Sequence, residues 1–235
     1  MRTPASVLAD LLASDPSRPR LTFYDDAPGP TRGERIELSG KVLANWVAKA
    51  ANALQEEFDL GPGRSVRLDL PAHWRALYWA LAAWSVGACV DVDGTARADL
   101  TVTADDAVAA SADGDLVVVT LAALARSHPT PVPAGAMDEA RELATYADAF
   151  GPWDSPDPQD PALVSRAGRT AYDAVVPQPD WPSGTRALAA GDLTTVLGTA
   201  LQAWSVDGSV VLVREPDPSA LPARLAAEGV TLDPS

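Results

Sequence analysis

Residues 38–92, LSGKVLANWVAKAANALQEEFDLGPGRSVRLDLPAHWRALYWALAAWSVGACVDV, change their apolar period three times and decide the fold class. Ser39 reads as the cap of a helix through Glu57, with Leu43, Trp46, Val47, Ala50 and Leu54 at helical spacing. Leu60-Gly61-Pro62-Gly63 stops it. Val66, Leu68 and Leu70 then alternate with Arg67 and Asp69, which is strand behaviour, and Pro71 ends the run. Residues 72–86 return to a helix, and 88–92 to a short apolar strand.

Outward from this stretch the alternation continues. Thr3-Pro4 opens a helix with Val7, Leu8, Leu11 and Leu12 on its apolar face. Residues 20–24 read as a strand and 27–33 as a turn. Residues 100–103 and 116–120 are short buried strands, 127–134 a proline-rich connection, and 137–150 is expected to be a helix. Residues 151–161 hold four prolines and read as a linker. Beyond them come a strand at 162–165, a proline-rich stretch around Trp181, a helix near 191–205 and a strand at 209–213. A last helix starts at Asp217-Pro218, with Leu221 and Leu225 one turn apart, and ends by Gly229. Strands alternating with helices argue for an α/β fold of layered, largely parallel sheets with flanking helices. The expected organisation is a first α/β lobe at 1–150, the linker at 151–161, and a second α/β segment at 162–235 packed on the first.

The 235 residues carry 32 acidic and 18 basic side chains, a formal charge of −14, which argues against a nucleic-acid partner. The excess is lopsided: 12 acids and 10 bases precede residue 96, and 20 acids and 8 bases follow. A single cysteine, Cys89, excludes an intramolecular disulfide and any multi-cysteine metal site. Leu77 to Val90, the longest apolar run, is too short for a bilayer, and the opening MRTPASVLADLLASDPSRP lacks a signal-peptide pattern. A cytoplasmic protein without a membrane partner is expected.

Chemical motifs are sparse. Gly40-Lys41-Val42 lacks the rest of a Walker loop, and neither a dinucleotide fingerprint nor a nucleophile elbow is present. His73 and His128, the two histidines, have no Cys or second His nearby, and His73 reads as a surface or interface residue. Cys89 reads as a buried core thiol. Asp91-Val92-Asp93-Gly94 lacks the third acid and terminal Glu of a calcium loop and reads as a solvated turn. Trp74, Trp79 and Trp84, five apart, do not share one helical face and read as packing.

The order of the pieces resembles the N-terminal domain of the adenylate-forming superfamily (acyl-CoA synthetases, adenylation domains, luciferases). The helix ending Ala50-Ala51-Asn52-Ala53-Leu54, then Leu60-Gly61-Pro62-Gly63-Arg64-Ser65-Val66, the strand to Pro71 and Trp84-Ser85-Val86-Gly87-Ala88 are similar to that family's scaffold. So is 201–231, LQAWSVDGSVVLVREPDPSALPARLAAEGVT. These motifs imply the fold. For activity, the resemblance implies a Ser/Thr/Gly-rich phosphate loop ending in Pro-Lys after the strand at 162–165. Here that position reads Ser165-Arg166-Ala167-Gly168-Arg169-Thr170, with one glycine and no lysine. Arg166, Gly168, Arg169 and Thr170 are the candidate cofactor-binding residues by position, and a solvated turn is the alternative. The family segments for adenine, ribose and Mg²⁺, and the lobe with the catalytic lysine, would follow Ser235. The resemblance therefore implies a non-catalytic protein acting through a partner or a residual small-molecule pocket, with no catalytic residue, metal or required cofactor. Residual ATP, AMP or CoA binding stays open, as do a split acyl-CoA synthetase half and a residual nucleotide- or acyl-CoA-binding enzyme. Sheet edges and apolar faces left bare would favour a homodimer.

Overall fold

The computed structural model describes residues 2–94, 97–178 and 180–234. In chain order the elements are α1 (Pro4–Ser14), β1 (Pro19–Asp25), β2 (Arg35–Ser39), α2 (Gly40–Glu56), β3 (Ser65–Asp69), α3 (Trp74–Ser85), β4 (Cys89–Asp91), β5 (Leu100–Thr103), α4 (Asp106–Ser111), β6 (Asp115–Val118), β7 (Met137–Asp138), α5 (Glu139–Glu142), β8 (Pro161–Ser165), β9 (Gly168–Ala171), β10 (Arg186–Ala189), α6 (Leu193–Ser205), β11 (Ser209–Arg214) and α7 (Leu221–Ala227). The strands form a seven-stranded sheet, β7-β6-β5-β3-β4-β8-β9, and a four-stranded sheet, β10-β11-β1-β2. Every pairing is parallel except β1–β2 and β8–β9, each at a sheet edge. The fold is α/β with mostly parallel sheets flanked by helices.

Two compact units share the chain. One is built from Asn45–Leu70 and Tyr78–Val175 and holds the seven-stranded sheet. The other comprises Arg2–Ala44, Pro71–Leu77 and the residues from Val176 onward, and holds the four-stranded sheet. The proline-rich stretch 151–161 lies inside the first unit rather than between two units. Gln55 brackets it there, donating to the Gly151 carbonyl and accepting from the Trp153 N–H.

Local signals account for most elements. Thr3 and Ser6 form a reciprocal capping box ahead of Pro4, and Asp192 caps α6 through the Thr195 N–H. Trp74 through Trp84 are buried without exception. A helix buried on all sides needs no apolar stripe, which is why tryptophans five apart all reach the core.

Residues 137–150 do not form the expected helix. They give the two residues of β7, the short α5, a 3₁₀ turn at Leu143–Thr145 and then irregular chain. Side chains of α2 capture the carbonyls that a helix would use. Lys49 Nζ donates to Ala144 at 3.1 Å and Tyr146 at 2.6 Å, and Asn52 Nδ2 to Ala147 at 3.1 Å and Ala149 at 2.9 Å. Strands β2, β9 and β10 lie where no strand was read. His73 is not a surface residue: it is 0% exposed, packed edge-on against Phe23 at 4.4 Å, with Nδ1 accepting from the Arg75 N–H.

Within the second unit, long side chains knit distant segments together. Arg20, 0% exposed, donates to the Asp207 and Gly208 carbonyls and pairs with the Asp207 carboxylate. Arg186 pairs with Glu228, and the Leu188 N–H donates to the Leu232 carbonyl. Leu221 and Leu225 pack on Leu188, Val211 and Val213.

Candidate binding face of the seven-stranded sheet

The position that the family resemblance assigns to a phosphate loop is the turn between β8 and β9. It is two residues long, Arg166-Ala167, because Ser165 already pairs with Gly168. Gly168 adopts φ +125°, a conformation that side chains disfavour, and this lets the chain reverse so sharply. The donors of the turn are already used. Asp93 Oδ2 accepts the Arg166 N–H at 2.7 Å, and Ser165 Oγ accepts the Ala167 N–H at 3.2 Å. A phosphate cradle needs several free N–H groups aimed at one point, and here a carboxylate occupies the tip.

The four candidate residues share this hairpin without converging. Arg166 stands exposed at the tip, its guanidinium 3.7 Å from Asp93. Gly168 and Thr170 sit on one side of β9 and Arg169, by alternation, on the other. Register carries Arg169 into a row across the sheet. Arg67 pairs with Thr101 and Asp91, Asp91 with Val164, and Val164 with Arg169, so these side chains share one face. Ser65 and Cys89 form the neighbouring row.

Two cavities open on this face. One, of about 200 Å³, is lined by Arg64, Cys89, Asp91, Arg97, Val164 and Arg169 among others. The second, of about 530 Å³, lies against α4 and is lined by Arg67, Arg97, Thr101, Val108 and Ser111 among others. Arg97 borders both. Helix α4 packs over β5 and β6, where Ala109 meets Leu116 and Val118. Gly94, at φ +61°, lies beside the row, and a Cβ there would stand 3.0 Å from the Arg67 guanidinium carbon.

Burial, reinforced by the Asp91 charge, pushes the Cys89 thiol up to about 11, so it stays protonated and a poor nucleophile. Asp91, 3% exposed, accepts from the Asp93 N–H. Asp99 accepts from the Ser65 N–H and hydroxyl and pairs with Arg64 at 3.0 Å. Among the described residues no group of three or more His, Cys, Asp or Glu could hold a metal ion. Sequence reasoning found Arg169 here but not Arg64, Arg97 or Asp91. The alternation of Ser65, Arg67 and Asp69 with Val66 and Leu68 was the available signal of a polar sheet face.

No family model matches the chain. A protein of Mycobacterium tuberculosis (strain ATCC 25618 / H37Rv) described as a TIGR03089 family protein is 35% identical over 254 residues, covering 98% of this chain and 99% of that one. The chain belongs to the TIGR03089 family. Solved structures give the fold of this family member. The N-terminal domain of FACL13 from Mycobacterium tuberculosis matches 99% of the chain with a TM-score of 0.70 at 13% identity. The acyl-CoA synthetase of Brucella canis matches 99% at 0.71 and 16%. The Klebsiella oxytoca NpsA N-terminal subdomain in complex with anthranilyl-AMSN matches 99% at 0.66 and 16%. The TIGR03089-family chain spans 62%, 47% and 59% of those three chains. It therefore shares the fold of the N-terminal domains of acyl-CoA synthetases and adenylation domains. Among its described residues no helix is long and apolar enough to cross a membrane.

Proposed function

We propose that this TIGR03089-family chain is a non-adenylating, adenylate-forming-like protein that acts by binding, through a residual small-molecule pocket or a partner protein. One observation carries the reading: the turn at the phosphate-loop position is two residues long, and its Arg166 N–H is held by Asp93. Acyl adenylation builds negative charge on the α-phosphate, and an enzyme lowers that barrier with donors and cations preorganised around it. A carboxylate seated at the tip opposes a triphosphate instead. Cys89, held protonated, supplies no alternative nucleophile.

The test is ATP–pyrophosphate exchange with a panel of fatty and aromatic acids, beside calorimetric titration with Mg-ATP, AMP and a medium-chain acyl-CoA. The expected result is exchange at the level of a blank and no micromolar binding of Mg-ATP. Acid-dependent exchange by the purified chain would overturn the reading.

A further inference from the structure

We propose that the sheet face bearing Arg64, Arg97 and Arg169 is a binding site for a small phosphomonoester dianion. The site deepens the binding reading above by naming its pocket and ligand class. It does not use the β8–β9 tip.

Charge distribution is the first ground. The first unit belongs to a chain of net charge −14, yet it gathers Arg64, Arg67, Arg97 and Arg169 around two adjoining cavities. Lys49, Arg126, Arg141 and Arg166 are its bases elsewhere. Pairing is the second ground. Arg64 and Arg67 have carboxylate partners, Asp99 and Asp69, at 3.0 and 3.3 Å. The Arg97 and Arg169 side chains make no hydrogen bond or ion pair among the described residues, although 32 carboxylates are present in the chain. Both border the cavity of about 200 Å³. Two unneutralised guanidiniums match a ligand of two negative charges better than a monocarboxylate, and guanidinium forks suit phosphate oxygens. Shape is the third ground. The remaining wall offers Pro161, Val164 and a protonated Cys89 thiol, a surface for a small, largely apolar body. Asp91 also lines the cavity; it is 3% exposed, and its carboxylate accepts from the Asp93 N–H.

Phenyl phosphate and benzoate are suitable probes, since they share a ring and differ in anion. Calorimetric titration of the full chain should show phenyl phosphate binding roughly ten times or more tightly than benzoate at neutral pH. Its affinity should rise between pH 5 and 7.5 as the phosphate takes its second charge near pH 6, with benzoate unchanged. Arg97→Ala and Arg169→Ala should each weaken phenyl phosphate by roughly tenfold or more, with circular dichroism confirming the fold. Arg126→Ala removes the same charge from a loop in the same unit and should leave affinity within about twofold. Equal affinity for benzoate, an equal loss in Arg126→Ala, or no binding of phenyl phosphate at millimolar concentration would each overturn the site. Pyrophosphate exchange that survives both arginine substitutions would instead overturn the non-adenylating reading and leave this site standing.

Discussion

A histidine with no exposed surface and guanidinium charges nearby has one comfortable state, the neutral one. Burial, then the Arg75 and Arg214 charges, hold His73 well below its ordinary value of 6.5. In the unfolded chain the same ring takes a proton near 6.5. The unfolded state therefore binds more protons below that pH, and the stabilising contribution, complete above about 6.5, is lost as pH falls. The dependence for one proton is at most about 1.4 kcal/mol per pH unit. Urea denaturation at pH 7.5 and 5.5 should show a larger loss for the native chain than for His73→Phe, and equal losses would refute this account. Cys89 was legible as a core thiol because its neighbours are apolar. His73 was not, because the ring that buries it, Phe23, lies 50 positions away in the sequence and a spacing argument does not reach that far.

The same limit appears among the elements. Residues 38–92 were readable because each change of period is marked by its own Gly, Pro or cap. Residues 137–150 carry a plausible helical spacing, and what overrides it comes from α2. Asn52→Ala should free the Ala147 and Ala149 carbonyls, costing about 1–3 kcal/mol and raising amide exchange across 144–151. Unchanged exchange there would show that the segment is held by something other than these bonds. Strand β9 was hidden for a different reason. Gly168-Arg169-Thr170-Ala171 has no strand-like composition, and it pairs because the turn from β8 leaves it nowhere else to go. The candidate site was accordingly half visible: Arg169 stood out by its motif position, whereas Arg64 and Arg97 join it only through the strand order β3-β4-β8-β9.

At the scale of the molecule, the chain has the fold of an acyl-CoA synthetase N-terminal domain and spans 47–62% of the length of the three solved structures described above. Strands β2 and β9 end their sheets, and among the described residues no further strand pairs with either. We expect β9 to pair with a second copy of the chain, because an uncovered edge presents unpaired N–H and C=O groups. Light scattering at micromolar concentration should give a dimer, and Arg169→Pro, which removes the N–H that β9 turns away from β8, should return it to a monomer. A monomeric native chain would refute the pairing.

The four-stranded sheet has a further implication. Its strand β1 lies beside β11, with Leu21 opposite Val210, so partners are separated by most of the polypeptide. At about 5–20 residues per second, a ribosome that has made β1 needs on the order of 10–40 s more to make its partner. Throughout that interval β1 has β2 but not β11 as a strand partner. The seven-stranded sheet, whose strands span residues 65–171, is complete earlier in translation. Vectorial synthesis thus gives this chain a fixed order of maturation, with a nascent hairpin that a chaperone would have reason to shelter.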